Sequence, residues 1–132
     1  MNDSVILPLW QRRDTGALTE LLAALLAEDV TFSSPVADYH GRENAAHMLS
    51  LIATVLHDVA PVRGWGDERE SVSAFTARVA DGELQGIVRE ERGPAGTLVR
   101  VTLFLRPYPV LRAAIATMRQ RLADAPLPQP TT

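Results

Sequence analysis

The chain has 132 residues, which is enough to bury one hydrophobic core and too few for two domains of ordinary size. Hydrophobic residues make up 46% of it and charged residues 22%, as in ordinary globular proteins, and the net charge of −3 argues against a general nucleic-acid binder, which carries a basic surface. Because the chain contains no cysteine, disulfides, thiolate metal sites and cysteine nucleophiles are excluded.

No apolar run in the sequence approaches the roughly 20 residues that span a bilayer. The first ten residues, MNDSVILPLW, carry an early acidic residue and a proline within their apolar stretch, which is untypical of a signal peptide. We therefore expect a cytoplasmic protein that binds neither membranes nor nucleic acids.

Residues 1–13 are predicted to form an N-terminal arm. The arm is too apolar for a free tail, so we expect it to dock on the body of the protein, and Pro8 argues against a long regular element there. The apolar residues of the arm are Val5, Ile6, Leu7, Leu9 and Trp10.

A helix is predicted after the arm, because leucines recur there at i, i+3, i+4, i+7 and i+8. Asp14 or Thr15 suits its start, since a short side-chain oxygen accepts a hydrogen bond from an unpaired amide of the first turn. The helix is predicted to end near Glu28. The residues of its apolar stripe are Leu18, Leu21, Leu22, Leu25 and Leu26.

A short strand at Val30–Ser33, stopped by Pro35, is predicted to lead through a loop into a second helix after Gly41. His47 falls nearly opposite the apolar stripe of this helix and is predicted to lie at the surface. The pair His57-Asp58 falls at the predicted end of the helix, where the dipole favours a cationic histidine as a cap. The stripe predicted to be buried consists of Ala45, Met48, Leu49, Ile52, Val55 and Leu56.

From Pro61 to Arg106 the apolar residues follow a period of two, which is typical of strands. Asp81-Gly82 is a strong signal for a hairpin, because a two-residue turn of this type needs positive φ. Both faces of the last strand are largely apolar, which predicts cover on both sides and hence a homodimer. The four predicted strands are Val62–Glu68, Val72–Ala80, Leu84–Glu91 and Thr97–Arg106.

Pro107 ends the last strand, and Pro109 suits the first turn of a third helix, where its missing amide would be unpaired anyway. The tail at 125–132, APLPQPTT, is rich in proline and is predicted to be disordered, which leaves one domain over 1–124. One edge of the third helix is apolar and consists of Leu111, Ile115, Met118 and Leu122.

The order of these elements is an α+β layout with segregated helices. Together with the words DVTFSSPV, YHGRENAAHML and VTLFLRP, it resembles the nuclear transport factor 2-like superfamily, in its SnoaL-like branch, over nearly the whole of 14–122. The resemblance is carried by F-x-S-P at Phe32–Pro35, by Gly41-Arg42 and by L-R-P at Leu105–Pro107, which mark a scaffold. It implies a cone: a strongly curved antiparallel sheet covered by helices around a pocket, with an extra C-terminal helix and often a homodimer packed through its sheets.

The superfamily includes ketosteroid isomerases, polyketide cyclases, epoxide hydrolases, scytalone dehydratases and non-enzymatic binding proteins, so the fold alone does not choose a function. In ketosteroid isomerases the base precedes the proline of the early strand, where this chain has Ser34. A buried acid is expected on a later strand, where this chain has Ile87, Val88 and Arg89. Both groups are missing at the matched positions, so the sequence argues against this activity.

The epoxide hydrolases of the superfamily position a water with two carboxylates bridged by an arginine. Arg78 and Arg89 are present, but the nearby acids stand close to strand ends or turns, where solvent exposure is the ordinary interpretation. These acids are Asp67, Glu68, Glu83, Glu90 and Glu91.

The cyclases and dehydratases use an aspartate or a histidine as acid or base, and Asp38 and His40 are the candidates here. A histidine titrates near physiological pH, whereas the alternative is a loop of solvated polar side chains. Ser34 and Tyr39 are candidate hydrogen-bond donors to a ligand. The further candidate ligand-binding residues are Phe32, Trp65, Phe75, Phe104 and Arg106.

Two functions stay open at this point. In the first, the protein binds a small apolar molecule, with isomerase, cyclase or dehydratase chemistry if it is an enzyme. In the second, it is a dimeric binding or interaction module whose interior is filled by core side chains; the aromatic residues of the strands fit either case. Neither function calls for a cofactor, and three histidines without suitable spacing predict no metal site.

Overall fold

The computed structural model describes residues 4–13, 15–80 and 82–130, and these ranges contain four helices and six strands. In chain order they are α1 (Leu7–Arg12), α2 (Thr15–Leu25), β1 (Leu26–Ser33), β2 (Asp38–His40), α3 (Arg42–Val55), β3 (His57–Gly66), β4 (Glu70–Val79), β5 (Gly82–Arg92), β6 (Leu98–Arg106) and α4 (Tyr108–Asp124). Asp14 and Asp81, for which the sequence predicts a helix cap and a turn, lie outside the described residues, as does the side chain of Thr15.

The six strands form one sheet in the order β2-β1-β6-β5-β4-β3. β1 and β6 run parallel, and the other four neighbouring pairs are antiparallel. The register shifts along β1 and β3, and such bulges increase the local bend and twist of a sheet. The predicted α+β fold with a curved sheet is confirmed.

The helix α3 buries the stripe that its sequence predicts: all six of the stripe residues are buried. It ends at Val55 because Leu56 has extended backbone angles, with φ −85° and ψ 129°. His57 and Asp58 therefore begin β3, and the capping role predicted for them is wrong. The ring nitrogen Nδ1 of His57 contacts the Arg13 guanidinium instead.

The strand β1 is longer than the sequence predicts. It begins at Leu26 instead of Val30, and α2 ends at Leu25 instead of near Glu28. Leu26 fits the leucine stripe of a helix as well as the buried face of a strand, so the period of the sequence did not separate the two at this boundary.

The N-terminal arm docks on the body, as predicted, through the short helix α1. Ile6, Leu7, Leu9 and Trp10 are all buried. The Trp10 indole packs edge-on against Phe75 at a centroid distance of 5.8 Å, and its Nε1–H donates a hydrogen bond to the Leu49 carbonyl at 3.0 Å. The arm is therefore attached to both α3 and the sheet.

Glu90 is fully buried beneath this arm, so the solvent exposure expected for it is wrong. Its carboxylate accepts hydrogen bonds from the Ser4 hydroxyl and from the Val5 amide, the latter at 2.9 Å. The Ser4 hydroxyl in turn accepts hydrogen bonds from the amides of Ile6 and Leu7 at the start of α1. Burial raises the pKa of Glu90, and the hydrogen bonds from Ser4 and Val5 offset part of the increase.

The outer face of the sheet carries an exposed apolar row. Ile87 of β5 is the cross-strand partner of both Ala74 and Phe104. Trp65 of β3 lies on the same face of the sheet. The exposed fractions are 39% for Ile87, 56% for Phe104 and 48% for Trp65. The described residues of one chain therefore cover β6 on one side only, and the predicted dimer stays a prediction.

The residues after α4 return along α3. Asn44 is buried and is bonded twice to the backbone of Gln129, whose carbonyl accepts from Nδ2 at 3.2 Å and whose amide donates to Oδ1 at 2.9 Å. His47, predicted to lie at the surface, is half-buried, with its Nε2 2.7 Å from the Ala125 carbonyl oxygen. The disorder predicted for the tail at 125–132 stays a prediction, and 131–132 lie outside the described residues.

In the described ranges, no helix combines the length and the apolar character that a bilayer crossing requires. The cytoplasmic location stays a prediction.

Candidate functional site

A cavity of about 220 Å³ lies between α3, α4, β6 and the loop that follows β1. In the described part of the chain its walls are apolar apart from three side chains, those of Ser34, Tyr39 and Arg119. The helix α3 and the residue after it contribute Met48, Ile52, Val55 and Leu56, and β6 contributes Leu103 and Leu105. The helix α4 contributes Leu111, Ala114, Ile115, Met118 and Leu122, and the loop contributes Pro35 and Val36.

The cavity lies where it does because three apolar faces converge there. Leu103 and Leu105 alternate along β6 on its inner face, opposite to the exposed Phe104. The apolar edge of α4 recurs at i, i+4, i+7 and i+11 from Leu111, and it faces α3 and β6. The Nε–H of Arg121 donates to the Thr54 hydroxyl at 3.2 Å, which ties α4 to the end of α3. α4 thus forms the wall that separates the cavity from solvent on this side.

Ser34 stands at the position where a ketosteroid isomerase carries its base, but its hydroxyl is used in a turn. It donates to the Ala37 carbonyl at 3.0 Å and accepts from the amides of Val36 and Ala37 at 3.2 and 3.1 Å. A hydroxyl without a basic partner does not abstract protons near neutral pH. Ser34 therefore shapes the loop next to the cavity, and its hydroxyl has no basic partner among the described residues.

Tyr39 provides the polar end of the cavity. Its ring is half-buried and stacks on Phe32 at a centroid distance of 6.1 Å. Burial raises the pKa of Tyr39, and the side chain of Ser34 offsets part of the increase. The phenol therefore stays protonated at neutral pH, and it shares a hydrogen bond with the Ser34 side chain at the edge of the cavity.

Of the residues that the sequence singles out as ligand-binding, the structure brings Ser34 and Tyr39 to the cavity. Phe32 and Phe75 are buried in the core. Trp65, Phe104 and Arg106 are exposed and line none of this cavity, and the Arg106 guanidinium donates to the side chain of Gln85.

Asp38 and His40, the candidate acid–base residues, are exposed on β2 and do not line this cavity. The Nδ1 of His40 lies 3.2 Å from the Thr31 hydroxyl across the β1–β2 pair. His40 borders a separate surface depression with Glu28 and Arg42. The alternation of a short strand explains this placement, because Tyr39 points inward and its two neighbours point outward. Their catalytic role stays a prediction.

The sequence did not single out the part of the site that α4 forms. The apolar edge of this helix was recognised, but nothing in its spacing shows which other element the edge covers. Arg119 lies beside that edge near the C-terminal end of the helix, where a cation is favourable whatever the helix covers, so its position in the sequence does not indicate a site. The described lining residues of the cavity include Tyr39 and Arg119 as titratable groups and no carboxylate, so the cavity is suited to enclosing an apolar molecule and to donating hydrogen bonds.

Solved structures share this fold over most of the chain. An uncharacterised protein with a cystatin-like fold from Silicibacter pomeroyi is 23% identical, with a TM-score of 0.82 over 92% of this chain and 87% of its own. A steroid delta-isomerase from Pseudomonas aeruginosa is 34% identical, with a TM-score of 0.79 over 89% of this chain and 85% of its own. A member of the SnoaL-like family from Agrobacterium tumefaciens is 16% identical, with a TM-score of 0.60 over 76% of this chain and 91% of its own.

No family model and no curated protein matches the sequence of the chain.

Proposed function

The chain is a SnoaL-like member of the nuclear transport factor 2-like superfamily, and we propose that it binds a small, mainly apolar molecule in the cavity beneath α4. One observation carries this proposal: three separate elements direct apolar side chains toward a space that they leave unfilled. Core side chains normally pack to the density of organic crystals. A concave apolar site with a few polar groups is also the usual form of a small-molecule site.

The size of the cavity limits the ligand. A cavity of roughly 150 Å³ holds one benzene molecule, so about 220 Å³ holds roughly nine or ten heavy atoms. A steroid skeleton has about twice that number and would need about twice the volume by the same comparison. The proposed ligand is therefore smaller than a steroid.

The composition of the cavity favours binding over proton transfer. A steroid delta-isomerase is among the similar proteins, and isomerisation of a ketosteroid uses a carboxylate base together with a donor to the developing oxyanion. The cavity of this chain contains the phenol of Tyr39, but no carboxylate lines it within the ranges that the structure describes. Acid–base chemistry with Asp38 or His40 is the alternative, and it would require these exposed side chains to reach the ligand.

We expect the wild-type protein to bind 1-octanol, which has about nine heavy atoms and fits the cavity volume, and Ala114→Phe to weaken this binding by at least about tenfold. Ala114 is buried and lines the cavity. The substitution adds a benzene-sized ring, which by the comparison above occupies roughly 150 Å³ of the cavity. Isothermal titration calorimetry measures the affinity directly.

Ala113→Phe is the matched control, because Ala113 is exposed one position earlier on α4 and does not line the cavity. It should bind 1-octanol as the wild-type protein does. Leu122→Ala, which enlarges the cavity, should shift the preference toward 1-decanol and tests the site without overpacking it. If the wild-type protein binds no alcohol of this length, or if Ala114→Phe binds as well as Ala113→Phe, the proposal is wrong.

We also propose that the protein is a homodimer that buries the outer face of its sheet. The exposed row of Trp65, Ile87 and Phe104 supports this arrangement, since an apolar face on a sheet is normally covered. Phe104→Lys is expected to convert a dimer into a monomer of 14.4 kDa in light scattering. Leu21→Lys, at an exposed leucine of α2, should leave the dimer intact. A wild-type mass of one chain at micromolar concentration would contradict the proposal.

A further inference from the structure

The charges around the cavity are unbalanced. Among the lining residues that the structure describes, Arg119 is the one side chain with a formal charge at neutral pH, and none is acidic. The remaining polar side chains are Ser34, whose hydrogen is donated to the Ala37 carbonyl, and Tyr39, whose phenol is protonated. Tyr39 also shares a hydrogen bond with the Ser34 side chain, so the guanidinium of Arg119 is the main hydrogen-bond donor that the described lining residues offer to a ligand.

Arg119 is placed to act at the opening of the cavity. It follows Met118 and lies one turn after Ile115, so it stands on the border between the apolar edge of α4 and solvent. A side chain at such a border lays its methylene stem along the apolar wall and keeps its guanidinium in contact with water. Arg119 is accordingly exposed and also lines the cavity.

The neighbouring arginines of α4 are used differently. Arg121 donates to the Thr54 hydroxyl, and the Arg112 guanidinium lies over the Tyr108 ring at 6.0 Å from its centroid. Arg119 forms neither a hydrogen bond nor an ion pair with any residue in the described ranges. Its five N–H donors are thus available to a ligand in the geometry that suits a carboxylate.

We propose that the ligand is an amphipathic monocarboxylate of about ten heavy atoms, held with its carboxylate against Arg119 at the opening and its apolar part between α3 and β6. This inference rests on the proposed function and names the class of molecule that the same cavity takes. A cationic ligand is disfavoured, because the lining residues offer no counter-charge to a buried ammonium group. An anion gains a charge-assisted hydrogen bond at the opening, where little of its hydration is lost.

The test compares two ligands with the same tail, octanoate and 1-octanol, on three proteins by isothermal titration calorimetry. Arg119→Gln is expected to weaken octanoate binding by about fivefold, the size of a partly exposed ion pair, and to leave 1-octanol binding within about twofold. Arg112→Gln, on the same helix but outside the cavity, should change neither affinity. Raising the salt concentration should weaken octanoate binding to the wild-type protein and have little effect on Arg119→Gln, since screening acts on the charge pair alone.

Each outcome bears on a different claim. If 1-octanol binds and octanoate shows no dependence on Arg119 or on salt, the inference about the carboxylate is wrong and the proposed apolar site stands. If Arg119→Gln weakens both ligands equally, Arg119 acts as a part of the wall and the inference is also wrong. If neither ligand binds to the wild-type protein, the proposed function and the inference fail together.

Discussion

Replacing Trp10 with alanine is expected to lower the free energy of unfolding by about 4 kcal/mol, within the range for truncating a buried tryptophan. The side chain is fully buried and contacts the ring of Phe75. The substitution removes that packing and leaves a large hole beneath α3. It also removes the indole N–H that donates a hydrogen bond to the Leu49 carbonyl. Urea unfolding followed by circular dichroism gives the difference.

The second tryptophan of the chain provides the control. Trp65 is 48% exposed on the outer face of the sheet, so Trp65→Ala is expected to change the free energy of unfolding by less than about 1 kcal/mol. Trp10→Phe keeps most of the packing and loses the indole N–H, and it should fall between the two at about 1–2 kcal/mol. A Trp10→Ala protein as stable as Trp65→Ala would show that the arm is undocked in solution.

The position of Trp10 also connects stability with the candidate site. Its indole bonds to the carbonyl of Leu49, and the preceding residue, Met48, lines the cavity from the same turn of α3. An undocked arm would therefore loosen the helix that forms one wall of the cavity. The apolar arm of the sequence thus serves the site indirectly, although none of its described residues lines the cavity.

The repeating parts of the fold were predictable because each has a clear period. The stripe of α3 has a period of 3.6 and is buried throughout, and the strands β4 and β5 have a period of two. The predicted boundaries are wrong where two periods fit the same residues, as at Leu26. They are also wrong where the predicted helix continues beyond its last buried turn, as at His57. Local pattern fixes the interior of an element better than its ends.

The candidate site was harder to predict, because a cavity depends on how elements are placed against one another. Ser34 is a candidate because it precedes the proline of the early strand, and Tyr39 because it stands between Asp38 and His40 in the following loop. The sequence alone does not place Trp65 and Phe104 outside the cavity, because it does not show which face of the sheet is concave. The apolar side chains of β6, for example, fall on both faces. Arg119 stands on a helix whose docking against α3 is a purely tertiary feature.

The sequence contains a signal for the burial of Glu90. This residue alternates along β5 with Leu84, Gly86 and Val88, all buried on one face of the strand. That alternation places Glu90 on the inner face, whereas its position close to the end of the predicted strand favours exposure. The arm that covers it comes from the other end of the sequence, so the cover itself was not predictable from local pattern.

Glu90→Ala is expected to lower the free energy of unfolding by about 3 kcal/mol near neutral pH. It leaves the Ser4 hydroxyl and the Val5 amide without their acceptor, and each unmet buried group costs about 1–3 kcal/mol. Glu90→Gln keeps one acceptor oxygen and the shape of the side chain, so it should be much less destabilising. Urea unfolding at a series of pH values separates these two variants from the wild-type protein.

The pH dependence distinguishes a buried carboxyl from an ordinary one. Since burial raises the pKa of Glu90 in the folded protein, its contribution to stability is fully present below the unfolded pKa of about 4.3. That contribution is lost as the pH rises through the raised pKa of the folded state, by about 1.4 kcal/mol for each unit by which folding raises it. Glu90→Gln cannot ionise, so its stability relative to the wild-type protein should increase over the same interval.

Glu83→Gln is the matched control, because Glu83 is exposed on the same strand. Its stability relative to the wild-type protein should change little across the same pH series. The opposite slope for Glu90→Gln, with the wild-type protein gaining on the variant as the pH rises, would mean that the hydrogen bonds from Ser4 and Val5 outweigh the burial of the charge. In that case the arm would be held by an ionised carboxylate, and acid instead of base would weaken its attachment to the sheet.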